Sequence, residues 1–113
     1  MSFRLELIAD VVTGETPEYQ SIRRYFIMKG NYPEFSQFIV DNYEQDCGNS
    51  NSVITTMTCN GTETLIKSFV DNVNPDSEDF DEGEVNQILS KIDNLRELER
   101  TVGTIFIDIK VTW

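Results

Sequence analysis

Between Glu82 and Trp113 the apolar period of this chain changes once, and that change restricts the folds open to it. Val85, Ile88, Leu89, Ile92, Leu95 and Leu98 recur at three- and four-residue steps, the period of a helix with one buried face. After Gly103, "TIFIDIKVTW" alternates every second residue, the period of a strand with one face on a core. A long helix with one apolar stripe needs a partner layer, and the strand beside it needs a sheet. The chain therefore reads as α+β.

The remaining elements fill in around that pair. "FRLELIADVV" alternates from Phe3 to Ile8 and then stays apolar, giving an N-terminal strand. Thr16 precedes Pro17 and Glu18, which is a hydroxyl cap, a proline at the first helical position and an acid near the positive helix end. Tyr19, Ile22 and Phe26 then share a helical face up to Gly30, and the apolar turn "YFIMK" is assigned to the core rather than to a partner. Pro33 opens a further helix striped by Phe35, Phe38, Ile39 and Tyr43, and the β-branched run "SVITTMTC" reads as a strand. After Asn60-Gly61 a hairpin turn competes with a helix; the helical spacing of Leu65, Ile66, Phe69, Val70 and Val73 favours the helix. Pro75 bars its continuation, and Asp81 stands at capping-box distance from Glu84. The expectation is a small single α+β domain over residues 1–113 with about three mainly antiparallel strands. The strands are placed at 3–12, 52–59 and 104–112, the helices at 16–29, 33–45, 62–73 and 82–100 on one face, and an acidic connector at 74–81.

Charge is distributed unevenly over this framework. The net charge is −11, yet residues 1–29 and residues 91–113 each carry four acids and four bases. The excess lies in residues 30–90, where twelve acids accompany only Lys67. The stretch "NPDSEDFDEGE" at 74–84 holds six of those acids and no cation. Nucleic acid and anionic lipid require a basic footprint, so direct binding to either is not expected, and Arg23-Arg24-Tyr25 is too small a patch to supply one.

Catalytic and metal chemistries find little support. The chain has no histidine, which removes the base from Ser-His and Cys-His nucleophilic schemes. Gly48, Gly61 and Gly83 are isolated and form no phosphate loop. An EF-hand register with Gly83 sixth puts Phe80 third and Leu89 twelfth, where neither can ligate, leaving room only for weak divalent binding over 76–84. Pro75-Asp76 and Asp108-Ile109-Lys110 match the letters of the PD-(D/E)xK metal nucleases, but a long helix intervenes and −11 repels a polyanion. No cofactor, no metal and no enzymatic activity are expected. Cys47 and Cys59 read as reduced thiols, since the N-terminus lacks the basic start and unbroken apolar run of a secretory signal; a disulfide between them is the alternative for an exported chain. The expected setting is cytoplasmic, the host cytoplasm if the chain is phage-encoded.

What remains is recognition by charge. The expected rim comprises Glu34, Asp41, Glu44, Asp46, Asp76, Glu78, Asp79, Asp81 and Glu82, with Tyr32, Tyr43 or Phe80 as aromatic anchors. Its partner would be a basic protein surface, on a nucleic-acid-binding protein or a toxin, blocked as immunity proteins, phage anti-defence inhibitors or nucleic-acid mimics do. The alternative is a structural or assembly subunit of a larger complex, viral assemblies included. A solvated connector is the plainer reading of 74–84 taken alone. Oligomeric state is not legible at this level.

Overall fold

The computed structural model describes residues 2–14, 18, 20–43 and 51–113. In chain order its elements are β1 (Arg4–Thr13), β2 (Ser21–Gly30), α1 (Pro33–Asn42), β3 (Ser52–Thr58), α2 (Cys59–Ser68), α3 (Glu82–Val102) and β4 (Phe106–Thr112). A π-helical turn, Phe69–Val73, continues α2. The strands form one antiparallel sheet in the order β2-β1-β4-β3, one strand more than the sequence led us to expect.

Strand parity decides which side of the sheet is covered. Leu5, Leu7, Ala9 and Val11 of β1, Ile107, Ile109 and Val111 of β4, and Val53 of β3 are buried in one core cluster with the helices. Over that face α3 crosses β1 and β2, α1 meets β1 and β4, and α2 meets β3 and β4. Within α3, Ile88, Ile92 and Leu95 are buried and Val85, Leu89 and Leu98 pack partly, as their spacing predicted. Gly103, at φ +90°, ends α3 in a conformation that favours glycine. Among the described residues the opposite face of the sheet carries no helix; the Cα envelope is 19 Å in its thinnest dimension, enough for two layers. Among the described residues no helix is long and apolar enough to cross a membrane.

The helix expected over 16–29 is corrected by β2, which pairs with β1 from Ser21↔Thr13 to Gly30↔Leu5. A step of four residues is common to a helix face and to one side of a strand, so Ile22 and Phe26 fit both periods. The strand's own alternation is hidden by an irregularity opposite Leu7 and Ile8, where partners pass from Met28 to Phe26 and Ile27 is the extra residue. Ile27 and Met28 are consequently both buried, while Ile22 and Phe26 face outward. The Thr16-Pro17 start signal falls among residues outside the described ones. The "YFIMK" turn, assigned to the core, is half core and half surface: Tyr25 and Phe26 are exposed.

At the other ambiguous junction the helical reading holds. Thr58 caps α2, its Oγ1 accepting the Gly61 N–H at 3.0 Å, so Asn60-Gly61 forms the first helical turn and not a hairpin. The π turn rotates the end of this helix, leaving Val73 exposed although the spacing placed it inward. At its start, Cys59 is a buried free thiol whose Sγ lies 3.8 Å from the Ile105 carbonyl oxygen. Burial, reinforced by the charge of Glu99, pushes this thiol up to about 11. Thiolate is therefore scarce near neutrality. Cys59 in the native protein should resist iodoacetamide at about pH 8 and react once unfolded, read by site-resolved peptide mapping. Rapid modification of the folded chain would contradict this burial. Cys47 lies outside the described residues.

Candidate functional site

Two helix N-termini meet at the acidic connector, and the carboxylates there divide into those that serve the fold and those that do not. No side chain from the residue preceding α1 caps it, because Tyr32 stands at the N-cap position. The cap arrives from a distant part of the chain instead: Asp79 accepts the Phe35 N–H at 2.7 Å in a buried hydrogen bond. Ser77 Oγ in turn accepts the Asp79 N–H at 3.1 Å. Glu34 in the first turn of α1 accepts from the Asn74 side-chain amide and from the Glu78 N–H at 3.4 Å, closing the clasp from the other side. Asp81 caps α3, accepting the Glu84 N–H at 2.7 Å at the spacing noted in the sequence. Backbone N–H groups at helix starts carry positive partial charge, which is the physical reason so many acids can gather here.

Aromatic packing fixes the connector to the core. Phe80 is 6% exposed, stacked on Tyr32 at 5.2 Å between ring centroids and edge-on to Phe35 and Phe69 at 5.2 and 6.0 Å. Burial raises the Tyr32 phenol above its ordinary range, with the neighbouring Glu84 adding to it. Burial likewise raises Asp79; the Phe35 N–H opposes that shift and the charge of Glu34 adds to it.

The expected rim residues thus separate. Asp79 and Phe80 are buried and bind their own chain. Tyr32 and Tyr43 are half-buried beside the core. Glu34, Asp41, Asp76, Glu78, Asp81 and Glu82 are exposed. Glu44 and Asp46 lie outside the described residues. On α1, Glu34 and Asp41 are seven residues apart, two turns along one side and roughly 10 Å distant by helix geometry. Asp41 also sits in the last turn, where the helix dipole disfavours an acid, although Gln37 Nε2 donates to it at 2.9 Å. Asp71, not singled out from the sequence, and Glu84, read there as a capping-box member of the 74–84 stretch, are further acids of residues 30–90; the charge count was the only signal for Asp71.

No ion pair among the described residues reaches any of these acids. Five of the nine cations pair with other acids: Arg4 with Glu6 at 3.2 Å, Arg24 with Asp10 at 2.9 Å, Lys67 with Glu63 at 3.4 Å, Arg100 with Glu97 at 3.4 Å, and Arg96. Arg96 pairs with Glu63 at 2.6 Å and with Asp93. Glu34, Asp41 and Asp81 accept from neutral donors, which leaves their charge in place.

These pairings give a pH dependence of stability. The raised Asp79 means the fold takes up that proton before the unfolded chain does, so its contribution grows as pH falls through the raised value toward about 3.9. Glu63 is lowered chiefly by its hydrogen bond from Arg96; its contribution is complete above the ordinary glutamate range and lost as pH falls through the lowered value. Thermal melts should therefore hold or rise from neutral to mildly acidic pH and fall below about pH 4. Asp79→Asn should remove the rise and keep the fall, and a steady loss of stability from pH 7 downward would contradict this assignment.

Among the described residues no three Asp, Glu, Cys or His side chains come together as a metal site. The nuclease letters separate in space: Asp76 lies in the connector on the helical side, while Asp108 is on the uncovered sheet face, accepting Thr56 Oγ1 at 2.6 Å. Clefts open elsewhere, one between β2 and α3 lined by Tyr25, Ile27, Lys91 and Leu98, another at the β1–β4 end beside Asp10 and Val102. In comparisons with known proteins the chain matches no family model, no curated protein and no solved structure.

Proposed function

We propose that this chain is a small, non-enzymatic acidic protein that covers a basic surface of a partner protein, as an immunity protein, a phage anti-defence inhibitor or a nucleic-acid mimic does. The observation that carries this reading is the exposed set Glu34, Asp41, Asp76, Glu78, Asp81 and Glu82, which no ion pair among the described residues neutralises. Helix capping accounts for Asp79, Asp81 and in part Glu34, but it gives no reason for Asp41, Asp76 or Glu78. Uncompensated carboxylates repel one another, so their retention favours a use outside the molecule. The favoured partner is a nucleic-acid-binding protein or a toxin, whose phosphate-binding groove such a rim would occupy.

Capture from a bacterial lysate tests the reading. The native chain should retain a basic protein at about 50 mM salt and release it at about 500 mM or on addition of duplex DNA. A variant carrying Asp41→Lys, Asp76→Lys and Glu78→Lys should retain none. Capture that survives both the reversal and added DNA would refute the proposal. A second reading, a subunit of a larger assembly, is favoured by one observation, the apolar side chains on the uncovered sheet face.

A further inference from the structure

From that uncovered face we infer a self-association surface: two copies of this chain pack sheet against sheet, leaving both acidic rims outward. The inference goes beyond the rim reading and does not rest on it.

Register identifies the residues of the face. From β2 to β3 one row runs Lys29, Glu6, Lys110, Ile54, and the next runs Phe26, Ile8, Asp108, Thr56. Beyond them lie the pairs Arg24↔Asp10 and Ile22↔Val12. Among the described residues, five of the seven large apolar ones that are exposed lie here: Ile22 at 70%, Phe106 at 53%, Val12 at 45%, Phe26 at 44% and Ile54 at 43%. Such a concentration is a patch rather than scattered exposure.

Charge selects the occupant. The face carries Arg4, Arg24, Lys29 and Lys110 against Glu6, Asp10 and Asp108, so it is near neutral in a chain of net charge −11. A second copy therefore meets little net repulsion there, and the interleaved signs let one copy's cations lie over the other's carboxylates. A polyanion would meet three carboxylates among the aromatics, which disfavours nucleic acid here. The size also fits. Four strands about 4.8 Å apart and seven to ten residues long present roughly 500 Å² in projection, and a pair buries roughly 1,000 Å² or more, the lower edge of specific interfaces. Two twisted sheets pack aligned at about 30° about a two-fold axis. Pairing through the free edge of β2 is the weaker geometry, because the irregularity at Ile27 and the Lys91 Nζ donating to the Ile27 carbonyl at 3.1 Å blunt that edge.

Sedimentation velocity of the full chain tests this inference. The native protein should sediment as a dimer at about 100 µM and dissociate on dilution, and Phe106→Glu combined with Ile22→Glu should weaken association roughly 100-fold or more. Both side chains are exposed, so circular dichroism and the melting temperature should stay near native. The reversal of Asp41, Asp76 and Glu78 should leave the dimer intact, which keeps this test separate from that of the rim. A native chain monomeric at about 100 µM, or a Phe106→Glu/Ile22→Glu variant that still dimerises, would overturn the inference.

Discussion

Alanine at Asp79 should lower folding stability by roughly 2–3 kcal/mol and asparagine by much less, because only alanine removes the acceptor that caps α1. The carboxylate receives the Phe35 N–H at 2.7 Å in a buried setting, and Tyr32 at the N-cap position supplies no side-chain cap. Losing it strands an N–H in the interior and releases the connector that Phe80 anchors beneath Tyr32. For a chain of this length the loss corresponds to a drop of about 10 °C or more in melting temperature. Asparagine keeps a side-chain oxygen at the same reach and removes a charge that burial already disfavours. Equal melting temperatures for the alanine variant and the native chain, by calorimetry, would show that Asp79 does not cap α1.

That result bears on how the acidic stretch is understood. Read along the chain, residues 74–84 form a uniform run of carboxylates. Folded, the run is a mixture: Asp79 is internal, Asp81 is a helix cap, and Asp76 and Glu78 are exposed with no ion pair among the described residues. Reversing Asp79 together with its neighbours would confuse collapse of the connector with loss of a contact. Asp41, Asp76 and Glu78 are the cleaner choice. Placing lysine at 41 even improves the match with the α1 dipole.

The same contrast marks what the sequence could and could not reveal. Local periodicity and caps were sufficient for β1, α1, α3 and β4, because each buries one regular stripe and ends at a recognisable residue. They also favoured the helix after Thr58 over the hairpin. They failed at β2, where the four-residue step of Ile22 and Phe26 suits both periods and the irregularity at Ile27 hides the alternation. With β2 missing, the uncovered face could not be assembled, since it exists only once Phe26 lies beside Ile8 and Phe106 projects from β4. At the acidic site, composition revealed the excess charge. It could not reveal which carboxylates turn inward, because the bond from Phe35 to Asp79 spans 44 residues.

The second large effect lies in association kinetics. A rim of uncompensated carboxylates accelerates encounter with a basic surface by about 10- to 1,000-fold at low salt, and screening removes that advantage as the Debye length falls from ~10 Å at 0.1 M to ~3 Å at 1 M. Charge reversal at Asp41, Asp76 and Glu78 takes away the attraction and substitutes repulsion while sparing the bonds that hold the connector. The association rate should therefore fall at low salt by a factor within that range and converge on the native rate at high salt. Rim acids acting only in solubility would change neither rate.

The most direct measurement is the association rate constant of the native and reversed chains with the captured basic protein, followed by surface plasmon resonance from about 50 to 500 mM salt. A steep fall for the native chain and a flat or rising profile for the reversed one is the predicted outcome. Superimposable profiles for the two chains would show that the carboxylates left without cations are not what the partner meets.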